Sequence, residues 1–161
     1  LRSLVGSEMC IRDRAQQFAA PASIFIAAAA VADFRPSAAA EQKIKKTSDI
    51  ETMQLDLVKN PDILKSVAES DRSLFSVGFA AETENLLAHA RAKLARKSLN
   101  MIVVNDVSRS DIGFAADDNE VVVITPKDAI KLEKANKRHL SRRLIQLIAE
   151  QVSPADNSDN G

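Results

Sequence analysis

Residues 24–46, IFIAAAAVADFRPSAAAEQKIKK, decide the reading of this chain. The stretch opens as an apolar strand, Ile24-Phe25-Ile26, and passes into small residues, Ala27 to Ala30. It then presents one carboxylate, Asp33, and closes on Lys43, Lys45 and Lys46. Small side chains at the C-terminal end of a strand let a ligand approach the backbone, and in open α/β sheets that end is where ligands bind. A carboxylate and several ammonium groups within one loop suit an anionic ligand that brings a metal ion, which points to phosphate chemistry.

Working outward, the chain has the length of one domain with a real core, 161 residues. Its 22 Lys and Arg balance 22 Asp and Glu, so no whole-chain field steers it onto nucleic acid or an anionic membrane. Any anion site is therefore local. The longest apolar run, around Ile24 to Ala32, is too short to span a bilayer, and the first residues lack the pattern of a secretory signal. A single cysteine, Cys10, excludes an internal disulfide and fits a reducing compartment, so the cytoplasm is the expected location. No metal-ligand spacing is visible.

Residues 1–14, LRSLVGSEMCIRDR, follow no period and resemble a translated sequencing-adapter read. They are set apart from the fold as an artefact or a disordered leader. Ile24 to Ala29 is expected as a strand buried on both faces. Pro36 begins a loop that ends at Thr47, and the alternation in Glu51 to Val58 predicts a half-exposed strand. Asn60-Pro61-Asp62 reads as a helix start with Asn60 as N-cap and Pro61 in the first helical position, ahead of a stripe of Ile63, Leu64 and Val67. Leu74 to Ala80 is a buried strand. Thr83 then caps a helix to about Leu99 with Leu87, Ala90 and Leu94 on one face. Met101 to Val104 is a third apolar strand, Val121 to Thr125 a further one, and Lys127 begins a short turn of helix. A closing amphipathic helix runs from Lys137 to Val152, and residues 154–161 form a polar tail. The whole predicts an α/β, Rossmann-like three-layer sandwich with a mostly parallel sheet. Its first strand or strands are missing, and it carries an added flap.

Among candidate site residues, Lys43 with its neighbours is either a polyphosphate clamp or, as spacing alone favours, a solvated basic loop. Lys93 and Lys97, four apart on a helix, share a face that is either a ligand contact or plain surface. Phe79 suits stacking on a base or packing in the core, and Asp33 suits a ligand contact or a turn. There is no Gly-x-Gly-x-x-Gly, no phosphate-binding lysine loop and no nucleophile elbow.

Taken in order, AAAVADFRP, KIKK, LVKNPDIL, GFAAET, the helix with Lys93 and Lys97, and VVNDV resemble the phosphopantothenate–cysteine ligase domain. That domain is the C-terminal half of the bacterial bifunctional coenzyme A biosynthesis proteins. The resemblance covers about Ala20 to Val152, so residues 15–153 are expected to be a partial ligase domain. It implies ligation of 4′-phosphopantothenate to cysteine through an acyl-cytidylate, driven by CTP with Mg2+. The residues it implies for CTP are Ala27, Ala28, Ala29, Asp33, Lys43, Pro61, Asp62, Ile63, Leu64, Phe79, Lys93 and Lys97. Those for phosphopantothenate are Ala29, Ala30 and Asp33. Lys43 matches the lysine needed to form the acyl-cytidylate, on a loop that acts as a flap. The resemblance also implies a homodimer and no nucleic-acid or membrane partner, with flavin confined to the decarboxylase domain absent here. Residues 1–23 match neither the family's glycine-rich start nor its catalytic asparagine. The chain alone is therefore expected to be inactive, with a non-catalytic nucleotide-binding half-domain as the alternative.

Overall fold

The computed structural model describes residues 7–38, 40, 42–44, 52–106 and 116–152. A five-stranded sheet runs in the order β1-β4-β5-β6-β7, where β1 is Ile24–Ala27, β4 Phe75–Glu82, β5 Met101–Asp106, β6 Asp118–Ile124 and β7 Ala129–Asn136. β1, β4 and β5 pair in parallel, and β6 and β7 add antiparallel. The helices are α1 (Ser7–Ala19), α2 (Ile63–Ser70), α3 (Leu86–Arg96) and α4 (Lys137–Val152). α4 covers one face of the sheet, burying Leu140, Leu147 and Ile148 on Val77, Met101, Val103 and Val123. α2 and α3 cover the other, where Ala68, Ala90 and Leu94 meet Ile102, Val104 and Ile124. α1 closes the β1 end of that second layer through Ala19, which joins Ile63, Val67 and Leu74. This is the expected three-layer α/β, Rossmann-like architecture.

β5 shows why an apolar run reads as a central strand. Met101 to Val104 alternate between the two helical layers and are all almost inaccessible. β1 has the same composition and a different fate. It is four residues long rather than six, and Ile24 and Ile26 are exposed. Among the described residues it has one strand neighbour, β4, so burial on both faces does not follow.

Two helix starts differ from expectation. Asp62, not Asn60, is the N-cap of α2, its carboxylate accepting from the Lys65 amide at 3.1 Å, and Pro61 lies before the helix. Asn60 is drawn into the loop that bears Asp33, described below. α3 begins after Asn85, which adopts a left-handed φ of 47°, and not at Thr83, because β4 extends through Glu82 and consumes that turn. Leu87, in the first turn of α3, is exposed, while Ala90 and Leu94 are buried as expected.

In the segment expected as a strand over 51–58, residues 52–56 are irregular and only Leu57–Lys59 is extended, as β3. It pairs antiparallel with β2 (Phe34–Pro36) in a separate two-stranded ribbon, so Pro36 ends a strand rather than starting a loop. The helical turn expected at Lys127 is instead the bend between β6 and β7, where the Thr125 hydroxyl accepts from the amides of Lys127 and Asp128. β7 went unread because it is an outer strand whose single buried side chain is Leu132. α4 has the expected bounds, although Val152 is exposed. Residues 1–6, Lys45, Lys46, Thr47 and 153–161 lie outside the described residues, and the Arg14–Ala15 junction falls inside the continuous helix α1.

Candidate functional site

The C-terminal ends of β1 and β4 open into a cleft of about 770 Å³. Its floor is the strand end and loop Ala27 to Asp33, its far wall the turn and helix start Pro61 to Leu64, and its rim Phe79 and Lys97. Arg14 and Phe18 of α1 complete the near side. The geometry follows from the sequence. β1 stops at Ala27, and the alanines beyond it leave open volume where larger side chains would fill it. α2 starts across that volume because Asp62 caps it, and a helix N-terminus carries partial positive charge that favours an anion.

Lys97, the residue closing α3, reaches back so that its Nζ lies 3.0 Å from Asp62 Oδ2. Burial pushes the Asp62 carboxyl up, but the Lys65 amide, the bond and charge of Lys97 and the charge of Arg96 together hold it below the ordinary carboxylate value. Asp62 is thus ionised at neutral pH and aims Lys97 at the cleft. Phe79 lines the cleft and is partly exposed, so an aromatic side chain borders the space a planar ligand would take.

Of the residues expected to meet ligand, Ala27 to Ala30, Asp33, Pro61 to Leu64, Phe79 and Lys97 all line this one cleft. Two do not. Lys43 is exposed on the segment between β2 and β3, away from the lining. Lys93 pairs with Glu82 Oε1 at the end of β4, while His89 Nδ1 stands 3.5 Å from Glu82 Oε2. Sequence reasoning missed Glu82, although it lies within the GFAAET motif and β4 delivers it beside His89 and Lys93, spaced i, i+4 on α3. It also missed Asn60, whose signal was misassigned to helix capping.

A second cleft, about 520 Å³, lies on the α4 side of the same strand ends. Ala28, Ala29, Ala30 and Phe79 line both, and Asn105, Asn119 and Ser141 supply polar groups to the second. Among the described residues no group of three or more His, Cys, Asp or Glu side chains is placed to hold a metal ion. No helix there is long and apolar enough to cross a membrane.

Fold and site define a Rossmann-like α/β domain with a cleft at its strand C-termini. The chain belongs to the DNA/pantothenate metabolism flavoprotein C-terminal domain family, whose pattern matches residues 3–152. It is 47% identical over 127 residues to the coenzyme A biosynthesis bifunctional protein CoaBC of Vibrio parahaemolyticus, covering 78% of this chain and 32% of that protein. With CoaBC of Escherichia coli it shares 46% over 125 residues, 76% of this chain and 30% of that one. The chain therefore spans about a third of the length of these relatives. Among solved structures, the C-terminal domain of a CoaBC superposes with a TM-score of 0.70 at 27% identity, covering 89% of this chain and 62% of that one. A Cab2 variant solved in complex with phosphopantothenate-cysteine shares the fold, with a TM-score of 0.57 at 23% identity over 80% of this chain and 44% of that one.

Proposed function

We propose that this domain serves coenzyme A biosynthesis in the cytoplasm, as the part of a phosphopantothenate–cysteine ligase that binds CTP and forms the acyl-cytidylate. The observation that carries the reading is the convergence of three distant segments, Ala27 to Asp33, Pro61 to Leu64 and Phe79 with Lys97, on one cleft. An apolar floor of alanines, a helix N-terminus, one lysine held by a carboxylate and one exposed ring together suit a nucleoside triphosphate.

In this reading the carboxylate of 4′-phosphopantothenate attacks the α-phosphorus of CTP. A P–O bond forms, pyrophosphate leaves, and the cysteine amine later displaces CMP from the acyl carbon with loss of a proton. The protein orients groups and neutralises charge rather than entering a covalent bond. Lys97 meets the phosphates, with Asp62 fixing its direction. Lys93, held by Glu82, provides a further cation near the β4 end. Lys43 meets the reacting phosphoryl, the role the resemblance implies for it. Ala29, Ala30 and Asp33 border the pantothenate side. Mg2+ arrives as part of the CTP substrate, because Asp62 is engaged by Lys97 and the described residues form no closed cage for it. A homodimer is formed through the β2–β3 ribbon, whose Phe34, Leu57 and Val58 are exposed together with nearby Met53 and Leu55.

The 161-residue chain by itself is proposed to bind Mg-CTP and to give no amide product, since residues 1–23 match no catalytic asparagine. Calorimetry with Mg-CTP, pyrophosphate release on adding 4′-phosphopantothenate, and mass spectrometry after adding cysteine test this in sequence. Absence of saturable Mg-CTP binding sinks the ligase reading, and amide product from the chain alone refutes its inactivity. Binding without pyrophosphate release supports the non-catalytic half-domain instead.

A further inference from the structure

The ligand assignment leaves Asn60 without a role, although it lines the cleft and is only 5% exposed. Its side-chain Nδ2 donates to the Ala32 carbonyl at 2.8 Å. Its main-chain N–H donates to the Asp33 carbonyl, also at 2.8 Å. Its Oδ1 accepts from Arg35 Nη1 at 2.8 Å, and the same Arg35 nitrogen lies 3.4 Å from the Lys59 carbonyl. One buried residue thus grips two consecutive carbonyls of the loop that bears Asp33, and a cation anchors it from the ribbon side.

Among the described residues the loop has little else to fix it. Residues 28–33 belong to no strand or helix, Ala28, Ala29, Ala30 and Ala32 are exposed or half-exposed, and only Val31 packs against the core. Methyl groups cannot choose among backbone conformations by packing alone. An amide can, because it presents a donor and an acceptor in fixed relation, and a buried amide strongly disfavours any arrangement that leaves either unpaired. Asn60 also immediately precedes Pro61 and the capping Asp62, so its bonds set the spacing between Asp33 and the Asp62–Lys97 pair.

We infer that Asn60 is a positioning residue: it locks the Ala27–Asp33 floor to the N-terminal end of α2 and holds the cleft in the form that takes a nucleoside triphosphate. The ligand in this statement rests on the proposed function; the lock itself rests on the hydrogen bonds.

The test is Asn60→Asp in the full chain, which keeps the acceptor for Arg35 and removes the donor to Ala32. Calorimetry is expected to show Mg-CTP binding weakened about tenfold, the scale of one buried hydrogen bond. Amide hydrogen exchange should quicken across residues 31–36 and stay unchanged across 121–132. In an Asp33→Ala background the same substitution should weaken binding far less, a coupling that general destabilisation does not produce. Arg35→Gln, which releases only the outer bond, should give an intermediate loss, and it carries the test if Asn60→Asp does not fold. Parental affinity and exchange in these variants overturn the inference, as does an equal loss with and without Asp33. If the parental chain binds no Mg-CTP, the ligase reading falls and exchange alone judges the lock: quickening at 31–36 supports it, parental exchange refutes it.

Discussion

Gly78 sits in the middle of β4, paired with Ala27 on one side and Ile102 on the other. A Cβ placed there meets Leu64 Cδ2 at 2.8 Å and Leu99 Cδ1 at 2.9 Å, both closer than real contacts allow. The two neighbours differ in freedom. Leu99 is 5% exposed and hemmed in, whereas Leu64 is half-buried and borders the cleft, so Leu64 is the side chain that moves. Overpacking by one methyl costs about 1–3 kcal/mol, and a yielding partner places Gly78→Ala in the lower half of that range. Relieving the backbone freedom of a mid-strand glycine returns about 0.5–1 kcal/mol. The net expectation is a loss of about 1 kcal/mol, or roughly 2–4 °C in Tm for a chain of this size. Gly78→Val, with two more methyls, should lose about 3 kcal/mol. Urea unfolding followed by far-UV circular dichroism measures this, as the chain has no Trp or Tyr to report by fluorescence. Because Leu64 is pushed into the cleft, Gly78→Ala should also weaken Mg-CTP binding by about threefold, well under one decade's 1.4 kcal/mol. A variant as stable as the parent with unchanged affinity refutes the argument, since it means Leu64 and Leu99 give way freely.

Four further outcomes follow from the geometry. The folded value of the Asp62 carboxyl is lowered, so its contribution to stability is fully present above the ordinary value of 3.8 and is lost as pH falls through the folded value. Asp62→Asn, which can still cap α2, should flatten that acid-side loss in urea midpoints taken between about pH 5 and 2.5. Glu82→Gln strands Lys93 beside a neutral group and should destabilise by about 1–2 kcal/mol, the buried-pair penalty discounted for the partial exposure of Lys93; adding Lys93→Met should restore most of it, and a purely additive double variant argues against the pair. Lys43→Ala should abolish pyrophosphate release while leaving the unfolding free energy from urea titration within about 0.5 kcal/mol of the parent, because the side chain is exposed. If the proposed dimer forms through the ribbon, Leu57→Asp should shift the sedimentation coefficient from dimer to monomer without altering the circular dichroism spectrum, and an unchanged value overturns that contact.

What the sequence made legible was whatever is set by burial on two sides. Met101 to Val104 announce a central strand because helices cover both faces, and α4 is framed correctly because its apolar residues recur at helical spacing. Edges mislead. β1 is as apolar as β5 yet exposed, since strand composition carries no mark of how many neighbours pair with it. β7 is too polar to stand out for the same reason in reverse. The cleft was largely readable because its lining is a set of ordered motifs that the fold closes into one volume. Asn60 escaped because Asn before Pro-Asp has the local look of a cap, and only the tertiary approach of Ala32 and Asp33 shows what its amide does. Lys93 was read as a ligand contact with no sight of Glu82, whose position depends on β4 running on to residue 82.

Ala28, Ala29 and Ala30 separate the cleft on the α1–α2 side from the one on the α4 side. They form a stretch of chain common to both clefts and carry only methyl side chains. A ligand in either cleft would therefore border these same residues. A bulkier residue there narrows both clefts at once. Ala29→Val is therefore a change that no compensation confined to a single cleft can repair.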